Sequence, residues 1–281
     1  MGTLYLVATP IGNLEDISAR ALRILGQARL IAAEDTRQTR KLLAHFGLHT
    51  PMVSYHEHNK LSRLDVVLRA LIEGDAALVS DAGTPALNDP GYELVRATLE
   101  AGHTVSPVPG PSAPIAALVA SGLPTDAFLY LGYLPRKSAQ RRPLLAQVRS
   151  LPYTLIFLEA PQRVSGALQD LEDVLGDRPC AIARELTKLH EEIFRGSLSA
   201  ARQHFSDQAP RGEFTLVVGG CPPEARPRWD GEQVRLALSS AQARHQSAPH
   251  VAKEIAIESG WSKKEIYRLY HEIFTGREET R

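Results

Sequence analysis

The fold of this chain can be inferred from three segments: Leu4-Tyr-Leu-Val-Ala-Thr-Pro-Ile-Gly-Asn13, Ala76-Ala-Leu-Val-Ser-Asp-Ala-Gly-Thr-Pro85 and Thr104-Val-Ser-Pro-Val-Pro-Gly-Pro-Ser-Ala113. Each begins with a short apolar run typical of a β-strand, continues into a loop containing Pro and Gly, and precedes a helical pattern. Such loops lie at the carboxyl ends of strands, where open α/β sheets bind their ligands. The three segments therefore predict one crevice for a small molecule.

Strand patterns alternate with helical patterns on both sides of these loops, which is typical of α/β architecture. We predict an N-terminal lobe over residues 1–121 and a second lobe over 122–221, each a sheet with helical cover. Residues 222–228 are rich in Pro and form a predicted linker, and 229–281 form a small helical appendage. Ligand binding is expected in the cleft between the lobes.

Composition narrows the class of protein. The 281 residues contain 32 Lys plus Arg and 32 Asp plus Glu, so no global positive field favours nucleic acid, and any basic surface must be local.

Cys180 and Cys221 are far apart, which favours two buried small hydrophobes in a reducing compartment. No apolar run approaches the roughly 18 residues of a membrane span, and no secretory leader is recognisable. A cytoplasmic protein without membrane contact is expected.

Three polar residues are predicted to begin helices. Asn13 stands before an amphipathic pattern containing Ile17 and Ile24, and Ser112 stands before a run of small residues. Asp89 followed by Pro90 has the residue types of an N-cap and a first helical turn. Ser112 could also approach a ligand, since capping and ligand binding use the same geometry.

The loops lack the common phosphate cradles. No Gly-x-Gly-x-x-Gly follows the first strand, no Gly-x4-Gly-Lys-Ser/Thr occurs, and no Gly-x-Ser-x-Gly elbow is present. They offer main-chain amides and carbonyls, small side chains and one carboxylate, Asp81. This favours an adenosine-like ligand over a polyphosphate.

Six motifs in order resemble one known group: 6–16 (LVATPIGNLED), 33–37 (AEDTR), 79–85 (VSDAGTP), 109–113 (PGPSA), 157–163 (FLEAPQR) and 183–192 (ARELTKLHEE). They are similar to the ribosomal RNA small subunit methyltransferase I group of the tetrapyrrole methylase superfamily. The resemblance runs from Leu4 to about Gly219 and continues more loosely in the tail. The usual Gly-rich first loop of the superfamily is replaced by Ala8-Thr-Pro-Ile-Gly12, which resembles its RNA branch.

The resemblance implies a two-lobed tetrapyrrole-methylase-like fold, S-adenosyl-L-methionine as cofactor and a homodimer. It also implies methyl transfer to the 2′-oxygen of a cytidine ribose in the decoding region of 16S rRNA, as naked small-subunit rRNA or within the 30S subunit. By resemblance, the cofactor is bordered by Pro10, Ile11, Ser80, Asp81, Ala82, Gly83, Ser112, Ala113, Leu158, Gly212, Glu213, Phe214 and Thr215.

A ribose hydroxyl is a poor nucleophile, so its methylation is favoured by in-line placement and by a base or cation near the oxygen. Polar residues that end predicted strands beside the cleft are the candidates. We assign Lys188 and Glu185 as base or orienting groups, Asp35 as a second candidate base, and Arg37 as a phosphate or ribose clamp.

The densest basic run follows Leu134-Pro135. Its members Arg136, Lys137, Arg141 and Arg142 are candidate contacts to rRNA phosphates, against the alternative of a solvated loop. His56 and His58 lack a third ligand nearby, so no metal is predicted.

Two other functions remain open at this point. A methylase acting on a tetrapyrrole or other small molecule would require a large apolar trough. A non-catalytic nucleic-acid-binding protein would use the tail, where Ala252–Ile257, Gly260-Trp-Ser262 and Lys263–Tyr267 resemble a helix-turn-helix. A helical hairpin packed on its own chain explains the tail equally well.

Overall fold

The N-terminal lobe is a parallel five-stranded sheet covered on both faces. In the computed structural model, which describes residues 2–206, 212–222, 228–243 and 247–274, the strand order is β3-β2-β4-β1-β5. The strands are β1 (Thr3–Val7), β2 (Leu30–Ala33), β3 (Met52–Ser54), β4 (Ala76–Val79) and β5 (Thr104–Val108). The helices are α1 (Ala19–Gln27), α2 (Thr36–His45), α3 (Lys60–Glu73) and α4 (Tyr92–Glu100). The central strands β1, β2 and β4 contribute to an apolar cluster on each face of the sheet, as is typical of a parallel sheet.

The second lobe is a mixed five-stranded sheet of order β6-β7-β10-β8-β9. Its strands are β6 (Phe128–Tyr133), β7 (Thr154–Glu159), β8 (Pro179–Arg184), β9 (Glu192–Ser197) and β10 (Phe214–Val218). Only β6 and β7 are parallel, and β10 is antiparallel to both of its neighbours. The helices α6 (Ser138–Val148), α7 (Val164–Leu175) and α8 (Leu198–His204) contribute to the apolar core on one face.

Helix α5 (Ala113–Ser121) joins the lobes. It begins at the third ligand-type loop of the first lobe and packs Ala117 and Leu118 against Ile156 and Val217 of the second sheet. The first-lobe loops are therefore held directly beside the second sheet.

Two predicted helix starts are wrong. Asn13 caps only a short 3-10 turn at Leu14–Asp16, because α1 begins later, with the Ser18 hydroxyl accepting from the Ala21 amide. Asp89 does not cap α4 either, since the N-cap residue is Gly91. In both cases a local cap signature was outweighed by the path of the preceding loop.

The C-terminal unit contains α9 (Gly231–Ala243), α10 (Ala248–Ser259) and α11 (Lys263–Phe274). These helices share an apolar cluster that includes Val234, Val251 and Ile266. The turn between α10 and α11 uses Gly260 at φ +69°. The predicted helical pair is therefore present and shares a core with α9. The linker residues 223–227, Arg244 and residues 275–281 lie outside the described residues.

Cys180 and Cys221 are both buried, as predicted, and they are not paired with each other. Among the described helices, none is both long and apolar enough to cross a membrane.

Candidate active site in the interlobe cleft

A cavity of about 370 Å³ lies where the first-lobe loops meet the second sheet. Both lobes contribute to its wall. The lining residues are Ile11, Glu34, Asp81, Ala82, Gly83, Thr84, Leu87, Asn88, Asp89, Ser112, Ala113, Pro114, Tyr130, Tyr133, Leu158, Glu159, Glu213, Phe214 and Thr215.

The three ligand-type loops are joined to one another by hydrogen bonds. Thr9 and Gly83 exchange two backbone hydrogen bonds of 2.9 Å, which connect the first loop with the second. The Thr84 hydroxyl donates to the Pro111 carbonyl at 3.2 Å, which connects the second loop with the third. The predicted convergence of the loops is therefore present, with Gly83 at φ +79° providing the tight turn.

Ser112 has a polar atom available to a ligand. It occupies the N-cap position of α5, yet its side chain makes no capping hydrogen bond. Its Oγ is buried and has no hydrogen-bond partner among the described residues. Because Ser112 lines the cavity, this hydroxyl can bind a polar group of a ligand there.

The second-lobe wall of the cavity contains two further buried polar atoms that are available to a ligand. Glu159 is 1% exposed, and its Oε1 accepts from Arg163 Nη2 at 2.5 Å and from the Ala160 amide at 2.8 Å. Within the described chain, its Oε2 and the Tyr130 hydroxyl have no hydrogen-bond partner. Burial raises the pKa of Glu159, and burial together with the neighbouring Tyr133 and Asp89 raises the pKa of Tyr130 to about 12.

The cavity is acidic. Its lining includes five carboxylates, those of Glu34, Asp81, Asp89, Glu159 and Glu213, and no Lys, Arg or His among the described lining residues. Such a surface favours a cationic ligand and disfavours a phosphate.

Two of these carboxylates connect the ends of neighbouring strands. Glu34 Oε2 accepts from the Asp81 amide at 3.2 Å, and Asp81 Oδ1 accepts from the Asp35 amide at 3.0 Å. Burial raises the pKa of both Glu34 and Asp81. The carboxyl ends of β2 and β4 are thereby tied together at the cleft.

Ten of the thirteen residues predicted to border a cofactor line the cavity. The other three lie close by. Ser80 is buried and donates to the Ala82 carbonyl at 3.2 Å, so it shapes the loop. Pro10 lines an adjoining depression that shares Asp81 and Glu213 with the cavity. Gly212, at φ +84°, packs against the Glu185 side chain.

Nine lining residues were not among those predicted to border the cofactor: Glu34, Thr84, Leu87, Asn88, Asp89, Pro114, Tyr130, Tyr133 and Glu159. Glu34 was expected beside the cleft, because it belongs to a polar cluster at the end of a predicted strand, but it was given no role there. The residue types around Asp89 indicated a helix cap instead. The two tyrosines and Glu159 belong to strands whose orientation toward the first lobe has no local sequence signal.

Lys188 and Glu185 form one ion-paired group beside the cavity. Lys188 Nζ lies 2.9 Å from Glu185 Oε1 and 3.5 Å from Glu213 Oε2. The hydrogen bond from Lys188 lowers the pKa of Glu185, and the two glutamates outweigh burial and raise the pKa of Lys188. Neither residue lines the cavity, but Glu213 does, so Lys188 reaches its rim.

Asp35 and Arg37 form a second ion pair at the end of β2. Arg37 Nη2 lies 2.6 Å from Asp35 Oδ2, and the Arg37 amide donates to Asp35 Oδ1 at 2.8 Å. These hydrogen bonds lower the pKa of Asp35 to about 2. The Arg37 side chain remains 82% exposed.

The basic run after β6 divides into two environments. Arg141 is 5% exposed and bonds to Asp170 at 2.6 Å and to the Gly166 carbonyl at 3.1 Å. The prediction that Arg141 contacts rRNA phosphates is therefore wrong, because this guanidinium is enclosed between α6 and α7. Arg142 is partly exposed and pairs with Asp170 and Asp173, whereas Arg136 and Lys137 are exposed.

His56 and His58 contact each other edge to face, with ring centroids 6.1 Å apart. Within the described residues, no group of three or more His, Cys, Asp or Glu side chains is arranged to hold a metal ion.

Comparison with known proteins agrees with this architecture. The model of the family described as Tetrapyrrole (Corrin/Porphyrin) Methylases matches residues 3–202. The chain is 46% identical over 275 residues to a protein named ribosomal RNA small subunit methyltransferase I from Halalkalibacterium halodurans, covering 96% of this chain and 95% of that protein. A protein of the same name from Synechocystis is 46% identical, with 97% and 99% covered.

Solved structures show the same fold at low identity. The methyltransferase CobJ superimposes with a TM-score of 0.59 at 18% identity, covering 78% of this chain and 95% of that one. The uroporphyrin-III C-methyl transferase from Thermus thermophilus, solved with S-adenyl homocysteine, gives 0.54 at 22% identity, covering 78% and 97%. The chain therefore belongs to the tetrapyrrole methylase family and, within it, to the ribosomal RNA small subunit methyltransferase I group.

Proposed function

We propose that this protein uses S-adenosyl-L-methionine to methylate the 2′-oxygen of a cytidine ribose in the decoding region of 16S rRNA. Near full-length similarity to relatives named as small-subunit rRNA methyltransferases supports rRNA as the substrate. The choice of cytidine, the 2′-oxygen and a homodimer follow from the resemblance of the motifs, and a cytoplasmic location follows from the composition and the cysteine usage. Naked rRNA and the assembled 30S subunit are both possible substrates.

The observation that carries the proposal is the acidic cavity at the strand ends. The cofactor is a cation at its sulfonium and its ammonium, and five lining carboxylates complement those charges. The volume of about 370 Å³ lies in the range of small-ligand sites. The buried Ser112 hydroxyl, which has no partner within the described part of the chain, and the closely joined loops provide the polar contacts that such a ligand needs.

The residues that would hold the cofactor come from both lobes. Asp81, Ala82, Gly83, Ser112 and Ala113 form the first-lobe side of the cavity, and Leu158, Phe214 and Thr215 form the second-lobe side. The cofactor supplies an electrophilic methyl group on a sulfonium. The protein holds that group between the lobes and excludes water from it.

An acidic cavity cannot accommodate RNA phosphates without repulsion, so the backbone of the substrate must remain at the rim. The exposed cations Arg37, Arg136 and Lys137 provide complementary charge outside the cavity. A nucleoside can then reach inward while its phosphates stay with these residues.

The electrostatics favour an orienting role for Lys188, Glu185 and Asp35 over a proton-accepting one. Lys188 is held in its charged form, and the two carboxylates are stabilised in theirs, which makes them weak bases. Lys188→Ala and Asp35→Asn should each lower turnover of small subunits by about tenfold, through misplacement of the substrate. If both variants keep wild-type turnover, the assignment of these residues to the site is wrong.

Methyl transfer from labelled cofactor to separate acceptors tests the proposal. Small ribosomal subunits lacking the modification should acquire label in their rRNA, and uroporphyrinogen should acquire none. Label in uroporphyrinogen alone would favour the small-molecule methylase, and absence of cofactor binding by calorimetry would favour a non-catalytic protein.

A further inference from the structure

Asp89 lies on the first-lobe wall of the cavity, three residues before the first residue of α4. Because Gly91 occupies the N-cap position of that helix, the Asp89 carboxylate is not used to cap its amides. It is half-buried and lies within electrostatic reach of Tyr130 and Tyr133 on the opposite wall. It therefore stands between the first-lobe loops and the second lobe.

The backbone around Asp89 is strained. Ala86 and Asn88 have φ of +66° and +65°, values that L residues rarely adopt. Such conformations persist where the surroundings enforce them, often at active sites. Here the Asn88 amide packs against Gly132 of β6, which fixes the loop against the second lobe.

The other lining carboxylates are already engaged. Glu34 and Asp81 accept from backbone amides, Glu159 is held by Arg163, and Glu213 lies near Lys188. Asp89 is contacted by the Ser80 hydroxyl, whose single proton is divided between Asp89 and the Ala82 carbonyl, and among the described residues no cation acts on Asp89. It is the cavity carboxylate best placed to accept a proton from a ligand.

The surroundings raise the basicity of Asp89. It is faced by Glu34 at the end of β2, by Asp81 in the loop after β4, and by Tyr130 and Tyr133 of β6. Burial, followed by the charges of Glu34 and Asp81, raises the pKa of Asp89 to about 6 despite the hydrogen bond from Ser80. A proton acceptor works best with a pKa near the operating pH.

We propose that Asp89 is the general base that removes the proton from the ribose hydroxyl, an inference that rests on the proposed function. The proton moves to the Asp89 carboxylate while the ribose oxygen forms a bond to the methyl carbon. The carbon–sulfur bond breaks, and its electron pair remains on sulfur as the sulfonium becomes a neutral thioether. Asp89 then releases its proton to water.

The test compares Asp89→Asn with Asp65→Asn, which removes an exposed carboxylate on α3 that does not line the cavity. Asp89→Asn should lower kcat by about 10²–10⁴, the usual contribution of general base catalysis. Its Kd for S-adenosylmethionine, measured by calorimetry, should rise by less than tenfold, or under about 1.4 kcal/mol, because the other four lining carboxylates remain to complement the cofactor. Asp65→Asn should match wild type in both measurements, and thermal unfolding should show that both variants are folded.

The pH profile distinguishes a base from a structural residue. The wild-type rate at saturating cofactor should fall below about pH 6, because the protonated carboxyl cannot accept a proton. Asp89→Glu should keep an acidic limb at a shifted pH, and Asp89→Asn should lose it.

Unchanged kcat in Asp89→Asn, or an acidic limb that survives in it, would overturn the assignment. So would a tenfold or greater rise in cofactor Kd with kcat intact, about 1.4 kcal/mol, since Asp89 would then be a cofactor-binding group. A wild-type protein that neither binds the cofactor nor methylates rRNA would instead contradict the proposed function.

Discussion

The Asn88 side chain of the first lobe packs directly against Gly132 of β6 in the second lobe. Gly132 has φ of +65° and lies at an irregularity in the pairing of β6 with β7. A methyl group at this position would overlap the Asn88 amide. This contact joins the first-lobe loop that carries Asn88, a lining residue of the cavity, to the second lobe.

Gly132→Ala should therefore destabilise the protein and displace the Asn88 side chain from the second lobe. The positive φ alone costs on the order of 1–2 kcal/mol, and the exposed Asn88 amide must move aside to make room for the methyl group. Chemical denaturation should show a lower free energy of unfolding, and calorimetry should show weaker cofactor binding.

Gly102→Ala is the matched control for Gly132→Ala. Gly102 also has a positive φ, +78°, but an added methyl group there meets no atom within 4 Å. Equal losses of stability in the two variants, with unchanged cofactor affinity in both, would show that the Asn88 contact contributes nothing.

Ser112→Ala should separate ligand binding from helix capping. Because the Ser112 hydroxyl makes no capping bond, its removal should leave stability within about 0.5 kcal/mol of wild type. The absence of one hydrogen bond to the cofactor should weaken binding by about 3- to 10-fold, or roughly 0.5–1.5 kcal/mol.

Ser18→Ala gives the opposite pattern, because Ser18 caps α1 by accepting from the Ala21 amide at 3.0 Å. It should lose about 1 kcal/mol of stability and keep its cofactor affinity. If Ser112→Ala instead lost as much stability as Ser18→Ala and kept its cofactor affinity, Ser112 would act only as a helix cap.

The basic run after β6 should give two different phenotypes. Arg136→Ala combined with Lys137→Ala removes exposed charge, so the melting temperature should stay constant while rRNA binding weakens. The slope of log affinity against log salt should decrease by about 0.7–0.9 for each phosphate that the variant no longer neutralises. Filter binding across a salt series measures both the affinity and the slope.

Arg141→Ala should act through stability, because it leaves Asp170 buried without its main partner. Breaking such a pair costs about 3–5 kcal/mol. Wild-type stability of Arg141→Ala would show that Arg141 has no structural role. Normal rRNA binding by the Arg136 and Lys137 double variant would show that these two residues do not contact rRNA phosphates.

The raised pKa of Asp89 also predicts a pH-dependent change in stability. The folded-state pKa of about 6 exceeds the ordinary value of 3.8, so the folded protein binds the proton more tightly than the unfolded chain. The resulting stabilisation is complete below about pH 4 and is lost as the pH rises through about 6. Asp89→Asn cannot ionise and should be more stable than wild type at about pH 8, by roughly 1–3 kcal/mol.

Urea denaturation of both proteins at about pH 4 and pH 8 measures this difference. A stability gap that does not widen toward high pH would mean that Asp89 has an ordinary pKa in the folded protein. Its role as a base would then lose its electrostatic support.

Much of the fold followed from local patterns, because short apolar strands and Pro-Gly loops mark the carboxyl ends of parallel strands. The apolar runs that begin at Ala76 and Thr104 form the strands Ala76–Val79 and Thr104–Val108. Strand β9 was missed because Glu192–Ser197 is largely polar, as an edge strand can be. Strand β3 has only three residues and lacks a recognisable pattern.

The site residues that belong to the Pro-Gly loops could be predicted from the sequence. Those that reach the site through the packing of helices and lobes could not. Asp89 was misassigned because an Asp-Pro pair is a strong local cap signal, and only the fold reveals Gly91 as the cap. Arg141 could have been recognised as buried, since Arg141, Leu145 and Val148 share one helical face. The approach of Tyr130 and Glu159 to the first-lobe loops depends on the relative placement of the lobes, which no local pattern encodes.

The most direct test of the central claim is nucleoside mass spectrometry of 16S rRNA from unmodified small subunits incubated with the purified protein and methyl-labelled S-adenosylmethionine. We expect labelled 2′-O-methylcytidine within the decoding region, with much less label when Asp89→Asn replaces the wild type. The proposed function would be contradicted if the label appeared on a base or on another nucleoside. It would also be contradicted if the protein bound the cofactor but left the rRNA unlabelled.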